Sequence, residues 1–337
     1  MGYNILTLRR AVAIIGVVTR KRLALLRRRS EVLHLIRLFF RRLGFLEVDT
    51  PLLAPALIPE SSLEVFRTIG EPQLYLVPSP ELWMKRLLAE GSGSLFQLCR
   101  CFRNHEPDSP LHSREFTMLE WYAVGADYLE SIQILERLFC FLLERMGLEP
   151  ILHFRGRRLD CTPPFRRLSM RDAFRRQLGW KLEDLASLPA LARRARELGV
   201  AVADDDSWAD LFHKVFLSFV EPALPTDRPL LLFDYPAAVP TLARHSGFWA
   251  ERWELYLGGI EVANCYSEAT DAAAIEEFFR GQSEAKSRAR EPHRVDWELV
   301  AALQAGLPPC SGAALGVDRL LLALLDEDSV ARVNALP

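Results

Sequence analysis

From residue 20 onward the apolar positions fall into two periods. Between Arg20 and Leu43, the residues Val32, Leu35, Ile36, Phe39, Phe40 and Leu43 recur at three- and four-residue steps. That places them on one stripe of a helix, and Gly44 stands where a C-terminal cap belongs. Residues 45–53 (FLEVDTPLL) alternate instead and predict a strand that Pro51 limits. In SPELWMKRLLAEG, Ser79 can cap a helix, Pro80 suits its first position and Gly91 ends it. Residues 95–124 read as strand, loop, strand. Asp127 with Glu130, Ser169 with Asp172, and Ser207 with Asp210 have capping-box spacing. From about Arg166 to Pro225 the pattern is mainly helical and polar on one side, an insertion packed beside a sheet. Strand patterns resume at PLLLFDY, and WELYLGGIEVANCYSEAT reads as a hairpin turning at Gly258-Gly259. Two more helices precede SGAALGVDRL, whose glycines open a last helix at Gly316. Strands and helices do not alternate as βαβ units. The expected fold class is therefore α+β, a largely antiparallel sheet flanked by helices.

Composition narrows the class without fixing a function. The chain has 337 residues, half of them hydrophobic, enough for one large domain or two small ones. A formal net charge of -2 argues against a molecule that binds polyanions as a whole. The charge is uneven, with Arg9-Arg10, Arg20-Lys21-Arg22, Arg27-Arg28-Arg29 and Arg41-Arg42 in the first third. These arginines either meet an acidic partner or form a solvated helix face. The six cysteines form no C-x-x-C pair and no zinc spacing, so they read as reduced thiols packed as small hydrophobes. The apolar run Ala11 to Val18 is too short to span a bilayer and is followed by arginine rather than a cleavage site. A soluble, cytoplasmic protein with no membrane contact is expected.

Candidate chemistry gathers in three places. In residues 96–122, strand alternation puts Gln97, Cys99, Cys101 and Arg103 on one face, and Phe116, Met118, Glu120 and Tyr122 on one face of the returning strand. A polar loop with His105, Glu106, His112, Ser113 and Arg114 joins them. Guanidinium for phosphate and an aromatic ring for a base suit a nucleotide. The hairpin adds Glu261, Asn264 and Glu268. Carboxylate and amide oxygens suit Mg²⁺, but Glu261 and Asn264 are three apart and face opposite ways unless a twist or bulge intervenes. The third place is the final glycine run. Its helix N-terminus favours anions, and Arg319 adds a planar cation beside Asp318.

Taken in order, Phe-Arg, a loop, Glu-Phe and a C-terminal Gly-x-x-x-Gly-x-Asp-Arg resemble the second and third signature motifs of class II aminoacyl-tRNA synthetases. FLEVDTP resembles the first motif, the dimer interface of that family. EFTMLEWY and GVDRL are most similar to the lysine-type catalytic domain. Together with SPELWMKRLL, FQLCRCFRN and CSGAALGVDRL, they resemble the stand-alone lysyl-synthetase paralogues that attach β-lysine to a lysine of elongation factor P. The resemblance implies a catalytic domain over residues 20–337 after an N-terminal extension over 1–19. Too few residues precede the first motif for an anticodon-binding barrel, which disfavours tRNA as acceptor.

The resemblance also implies a chemistry and a set of residues. ATP and Mg²⁺ would activate lysine or (R)-β-lysine as an adenylate, and a lysine amine of elongation factor P would accept it from a homodimeric enzyme. Arg103 would hold the α-phosphate, and Phe116 and Arg319 would sandwich the adenine. Asn104, His105, Glu106, Ser113, Val262 and Gly316 complete the implied ATP contacts, and Glu261 with Asn264 would hold Mg²⁺. Ser79, Pro80, Glu81, Tyr122, Glu268 and Ala314 match amino-acid-pocket positions, two carboxylates answering two ammonium groups. Members of that family carry alanine at the position of Ala314, where lysyl-tRNA synthetases have glycine. The chain departs from the pattern in the loop: Ser113 replaces an asparagine, Arg114 replaces a proline, and one extra residue leaves the loop glutamate as Glu106 or His105, with Glu106 preferred. A truncated synthetase that uses tRNA or another amine, and a non-catalytic amino-acid-binding regulator, are the competing readings.

Overall fold

The structure is a computed structural model and describes residues 20–107 and 109–334; the expected N-terminal extension lies outside the described residues. Helix α1 (Arg20–Arg42) leads to β1 (Leu46–Glu47). The ribbon β2 (Leu53–Ala54) and β3 (Tyr75–Leu76) precedes α2 (Glu81–Ala89). Strands β4 (Leu95–Phe102) and β5 (Glu115–Val124) follow, then α3 (Tyr128–Arg145) and the hairpin β6 (Ile151–Phe154) and β7 (Arg157–Asp160). Next come β8 (Arg166–Ser169), α4 (Met170–Leu178), α5 (Leu188–Glu197), α6 (Trp208–Val215), β9 (Leu230–Pro236), β10 (His245–Ser246), β11 (Trp249–Leu257) and β12 (Ile260–Ser267). Helices α7 (Ala272–Ser287) and α8 (Trp297–Gly306), strand β13 (Cys310–Gly316), α9 (Val317–Leu325) and α10 (Val330–Val333) end the fold.

Among the described residues the main sheet has nine strands in the order β1-β4-β5-β13-β12-β11-β9-β8, with β10 beside β11. Its middle is antiparallel as expected, but β1 runs parallel to β4 and β8 parallel to β9 at the two edges. A parallel pair needs a long crossover. The helical segment after β8 is that crossover, so the expected insertion begins inside the sheet rather than beside it.

One face of the sheet packs against α1, α3 and α9. Helix α1 buries Val32, Leu35, Ile36, Phe39 and Phe40, and Phe40 stacks on Phe96 with ring centroids 5.0 Å apart. Each such fully buried side chain contributes about 1.5–3 kcal/mol. The other face carries α2, α7 and α8, with Met84, Leu88, Phe279 and Leu299 packed below them. Helices α4 and α6 have a core of their own, in which Phe212 stacks on Trp208 at 5.4 Å. The capping positions behave as their chemistry demands. Asp127 and Ser207 close reciprocal capping boxes with Glu130 and Asp210, and Ser169 accepts from the Asp172 amide.

Three expectations are corrected. Residues 45–53 give only β1 and part of β2, because β1 finds a single parallel edge and Pro51 lacks a donor. Pro80, not Ser79, is the N-cap residue of α2, and no side chain caps that end. The run SGAALG, expected only as the glycine-rich opening of the last helix, is strand β13. Ala313 and Leu315 face the core, while Gly312, Ala314 and Gly316 share the opposite face with period two.

Arg29, from the basic run of α1, is buried. Its Nη1 meets Asp318 Oδ1 at 2.5 Å and its Nη2 donates to Thr117 Oγ1 at 2.6 Å, while Asp318 Oδ2 accepts from the Thr117 amide at 2.9 Å. Removing one partner of such a buried pair costs about 3–5 kcal/mol. The Asp-Arg pair of the sequence therefore divides its work: Asp318 ties α1 and β5 to α9, and Arg319 turns to the cleft.

Candidate active site

Two cavities adjoin on the sheet face opposite α3. One, of about 440 Å³, is lined by Phe116, Glu261, Gly316 and Arg319; the other, of about 640 Å³, by Ser79, Glu81, Glu120, Tyr122 and Glu268. Arg103, Asn264 and Ala314 line both. The pairing explains the convergence. Gln97 lies opposite Glu120, Cys99 opposite Met118 and Cys101 opposite Phe116, so the two predicted faces are one surface. Strand β13 continues it, Ala314 lying between Glu120 on β5 and Asn264 on β12.

The bulge that the sequence demanded is present. Leu255 pairs with Ala263 but Tyr256 pairs with Glu261, so Val262 is an extra residue on β12. Val262 and Ala263 both pack into the core, and Glu261 and Asn264 both reach the cavity. Burial and the charge of Glu254 push the Glu261 carboxyl up to about 7. A buried carboxylate with amide and carboxylate oxygens beside it fits Mg²⁺, and Glu261 with Asn264 or Glu254 would hold it. Both neighbours already meet Arg252, Asn264 Oδ1 accepting from its Nε at 3.1 Å. Glu254 was not foreseen. It accepts from Arg252 Nη2 at 2.6 Å and from the hydroxyls of Tyr235 and Tyr256. No group of three or more His, Cys, Asp or Glu with metal-holding geometry occurs among the described residues, so substrate oxygens and water would complete the shell.

Arg252 is paired with Glu254, but two other cations of this cavity, Arg319 and Arg103, are held without a carboxylate partner among the described residues. Arg319 donates from Nη1 to the Glu261 carbonyl at 2.9 Å, from Nε to the Leu111 carbonyl at 3.3 Å, and from Nη2 to His112 Nε2 at 2.9 Å. Because arginine only donates, His112 accepts there. Burial, with Arg319 next, holds its imidazole below the usual pKa. Ser109 Oγ lies 2.6 Å from His112 Nδ1, fixing the ring. Arg103 has its guanidinium carbon 5.2 Å from the Phe116 ring centroid, and its Nε is buried without a hydrogen-bond partner among the described residues. An orphaned guanidinium donor at a cleft asks for an anion.

The loop places its residues unequally. Glu106, His112 and Ser113 line the nucleotide-side cavity. His105, at φ 56°, does not, and its Nε2 lies 3.7 Å from Glu291. Asn104 bridges to Glu64, and its side chain accepts from the His105 amide. Pro80 reaches neither cavity. Gly316 has φ −73°, and an added Cβ would meet only the Val262 carbonyl at 3.7 Å and Arg319 Cδ at 4.0 Å. Nothing in the protein forbids a side chain there, so the space is left for a ligand.

The second cavity is acidic. Glu60, Glu81, Glu120 and Glu268 face one ammonium, Lys85, whose Nζ lies 2.6 Å from Glu81 and 2.7 Å from Glu268. Burial pushes the Glu60 and Glu268 carboxyls up to about 7, and Glu120 well above its ordinary value. Lys85 stays charged because Glu268 and Glu81 outweigh its burial. Glu120 accepts from the Tyr122 hydroxyl at 2.8 Å, yet Glu120 Oε2 and Glu268 Oε1 lie buried without a hydrogen-bond donor among the described residues. Arg103 acts on Glu60 as well, so the excess of acceptors lies at Glu120 and Glu268, whose orphaned oxygens make a site for an amine. Gly312 is what admits it: a Cβ there would lie 2.2 Å from Glu268 Oε1 and 2.6 Å from Tyr122 Cε1. Lys85 and Glu60 escaped the sequence reading, and Gly312 was read only as part of the glycine motif. Lys85 sat in an amphipathic helix, and Glu60 in an irregular loop with no period.

This frame, a mixed sheet bearing an acidic cavity and a guanidinium-lined cavity, matches the family model for class II tRNA synthetases (D, K and N) over residues 6–337. The chain belongs to that family. Within it, the chain is 38% identical to an elongation factor P–(R)-β-lysine ligase of Mannheimia succiniciproducens, over 91% of this chain and 93% of that protein. It is likewise 38% identical to an elongation factor P–(R)-β-lysine ligase of Klebsiella pneumoniae, over 91% of this chain and 93% of that protein. It is also 32% identical to a lysine–tRNA ligase of Chloroflexus aurantiacus, over 95% of this chain but 66% of that protein. No helix among the described residues is long and apolar enough to cross a membrane.

Proposed function

We propose that this chain is an ATP-dependent, AMP-forming ligase that activates (R)-β-lysine, or lysine, and transfers it to a lysine side chain of elongation factor P. The observation that carries the reading is Arg103, a guanidinium with an orphaned donor at the seam between an amine-binding and an anion-binding cavity. An amino acid held by its ammonium groups among Glu81, Glu120, Tyr122 and Glu268 would bring its carboxylate to that seam. There it attacks the α-phosphorus of ATP, a P–O bond forms, and pyrophosphate leaves. No side-chain nucleophile is required; positioning and charge neutralisation supply the rate. Arg103 neutralises the α-phosphate. Arg319 and Phe116 flank the base, Phe116 offering the ring face that Arg103 does not cover, and Gly316 lets the nucleotide approach the backbone. Mg²⁺, held by Glu261 with Asn264 or Glu254, would offset the charge of the triphosphate. The acceptor amine then attacks the adenylate and releases AMP. The names of the relatives that match over nine-tenths of their length support elongation factor P as acceptor. A homodimer working in the cytoplasm accompanies this reading.

The test is transfer of labelled lysine and of (R)-β-lysine, with ATP and Mg²⁺, to elongation factor P and to lysine tRNA side by side. Label on the protein alone is expected. Label on tRNA alone would make the chain a minimal synthetase. Absence of ATP–pyrophosphate exchange would leave a binding protein.

A further inference from the structure

If the chain is the ligase proposed, its second step poses a difficulty that adenylate formation does not, and the role assigned to His213 rests on that ligase reading. A lysine side chain is an ammonium, and near neutral pH on the order of one in a thousand is the free amine. Only that form is a nucleophile. A group that takes the proton inside the cleft would therefore set the rate of transfer. Deep in the acidic cavity, Glu81 and Glu268 meet Lys85, Glu120 accepts from Tyr122, and Glu60 stands where Arg103 acts on it; in the ligase reading their open oxygens hold the amino acid's ammonium groups.

The opposite wall presents a different group. Helix α6 buries Trp208, Leu211, Phe212 and Val215, and His213 falls outside that stripe. It lines the same cavity as Arg103, Arg252 and Asn264, with Asp205 and Asp210 beside it and Arg288 at the C-terminal end of α7. A neutral imidazole keeps a lone pair on one ring nitrogen. The charged groups acting on the imidazole are Arg252 and Glu254 of β11 and Asp210 of its own helix. Desolvation at the cavity wall first and Arg252 second lower its pKa, against Glu254 and Asp210, and so favour the neutral ring.

We propose that His213 is the catalytic base of the transfer step, taking a proton from the acceptor lysine where α6 faces β11. The ammonium gives one proton to the free ring nitrogen. The amine's lone pair attacks the carbonyl carbon of the adenylate, and a C–N bond forms. The C–O bond to the phosphate breaks and AMP leaves with its electron pair. The nitrogen's remaining extra proton goes to solvent, as does the proton held by the imidazolium.

The test compares full-length wild type and His213→Gln with two nucleophiles: elongation factor P, and hydroxylamine, which is already unprotonated at neutral pH. ATP–pyrophosphate exchange and hydroxamate formation should be unchanged in the variant, while transfer to elongation factor P falls by about 10²-fold. Wild-type transfer should be level with pH between the imidazole and lysine pKa values. The variant's should climb about ten-fold per unit, following the free amine. Added imidazole should restore transfer in His213→Ala. Wild-type transfer and pH profile in His213→Gln would overturn the proposal. Equal loss of exchange, hydroxamate and transfer would also overturn it, by making His213 structural. Wild-type enzyme that forms no hydroxamate with either amino acid would instead bring down the ligase reading on which the proposal stands.

Discussion

The two cavities share strands β4, β5, β12 and β13 and leave opposite charges unsatisfied. On the amine side, Lys85 neutralises part of a carboxylate cluster and acceptor oxygens remain open. On the nucleotide side, Arg319 is held by two carbonyls and a neutral imidazole, and Arg103 by an aromatic ring, so neither cation is discharged by a carboxylate. Arg29 behaves differently. That arginine is fully paired with Asp318 and works as scaffold. Ion pairs beneath the surface fix geometry, and charges left facing the cleft recognise ligands.

The comparison predicts unequal effects. Arg103→Ala should lower ATP–pyrophosphate exchange by about 10³-fold with little change in melting temperature; near-normal exchange would remove Arg103 from the seam. Lys85→Met should act on the fold as well as the site, by about 3–5 kcal/mol at neutral pH, because Glu81 and Glu268 lose their shared cation. The sign with pH is fixed by Glu268, whose carboxyl the fold raises to about 7 even with Lys85 lowering it. Without Lys85 it rises further, so the variant's deficit should shrink as pH falls toward 7 and stay level below it; denaturant titrations above and below pH 7 check this.

Two smaller effects sharpen the division. Gly312→Ala drives a methyl into Glu268 and Tyr122, and should raise KM for the amino acid by about 10²-fold while leaving KM for ATP unchanged. Parallel rises in both would mean the cavities are not separable. Ala314→Gly should shift preference from (R)-β-lysine toward lysine by about ten-fold, read as a ratio of kcat/KM values; an unmoved ratio removes this methyl group from specificity.

Local rules reached a long way into this molecule. The stripe of α1, the capping boxes and the Gly258-Gly259 turn follow from spacing alone, and the period of two put Arg103, Phe116 and Tyr122 on one surface before any pairing was known. Even the bulge was required by the three-residue gap between Glu261 and Asn264. What stayed hidden was non-local or masked by small side chains. Strand β13 does not read as a strand because two of its cavity-facing residues are glycine, and its alternation is visible only through Ala313 and Leu315. The parallel pairing of β8 with β9 spans a long crossover, Lys85 looks like any helix cation, and Glu60 sits in a loop that carries no period.

Strand β13 also states where such an enzyme can be retargeted. Along its cavity face, position 312 tolerates nothing larger than hydrogen, and position 316 borders the guanidinium-lined cavity. Position 314 stands between them, flanked across the sheet by Glu120 and Asn264. A library aimed at new diamino acids would vary those three neighbours together and keep residue 312 fixed. Diversity at 312 would return empty pockets rather than altered ones.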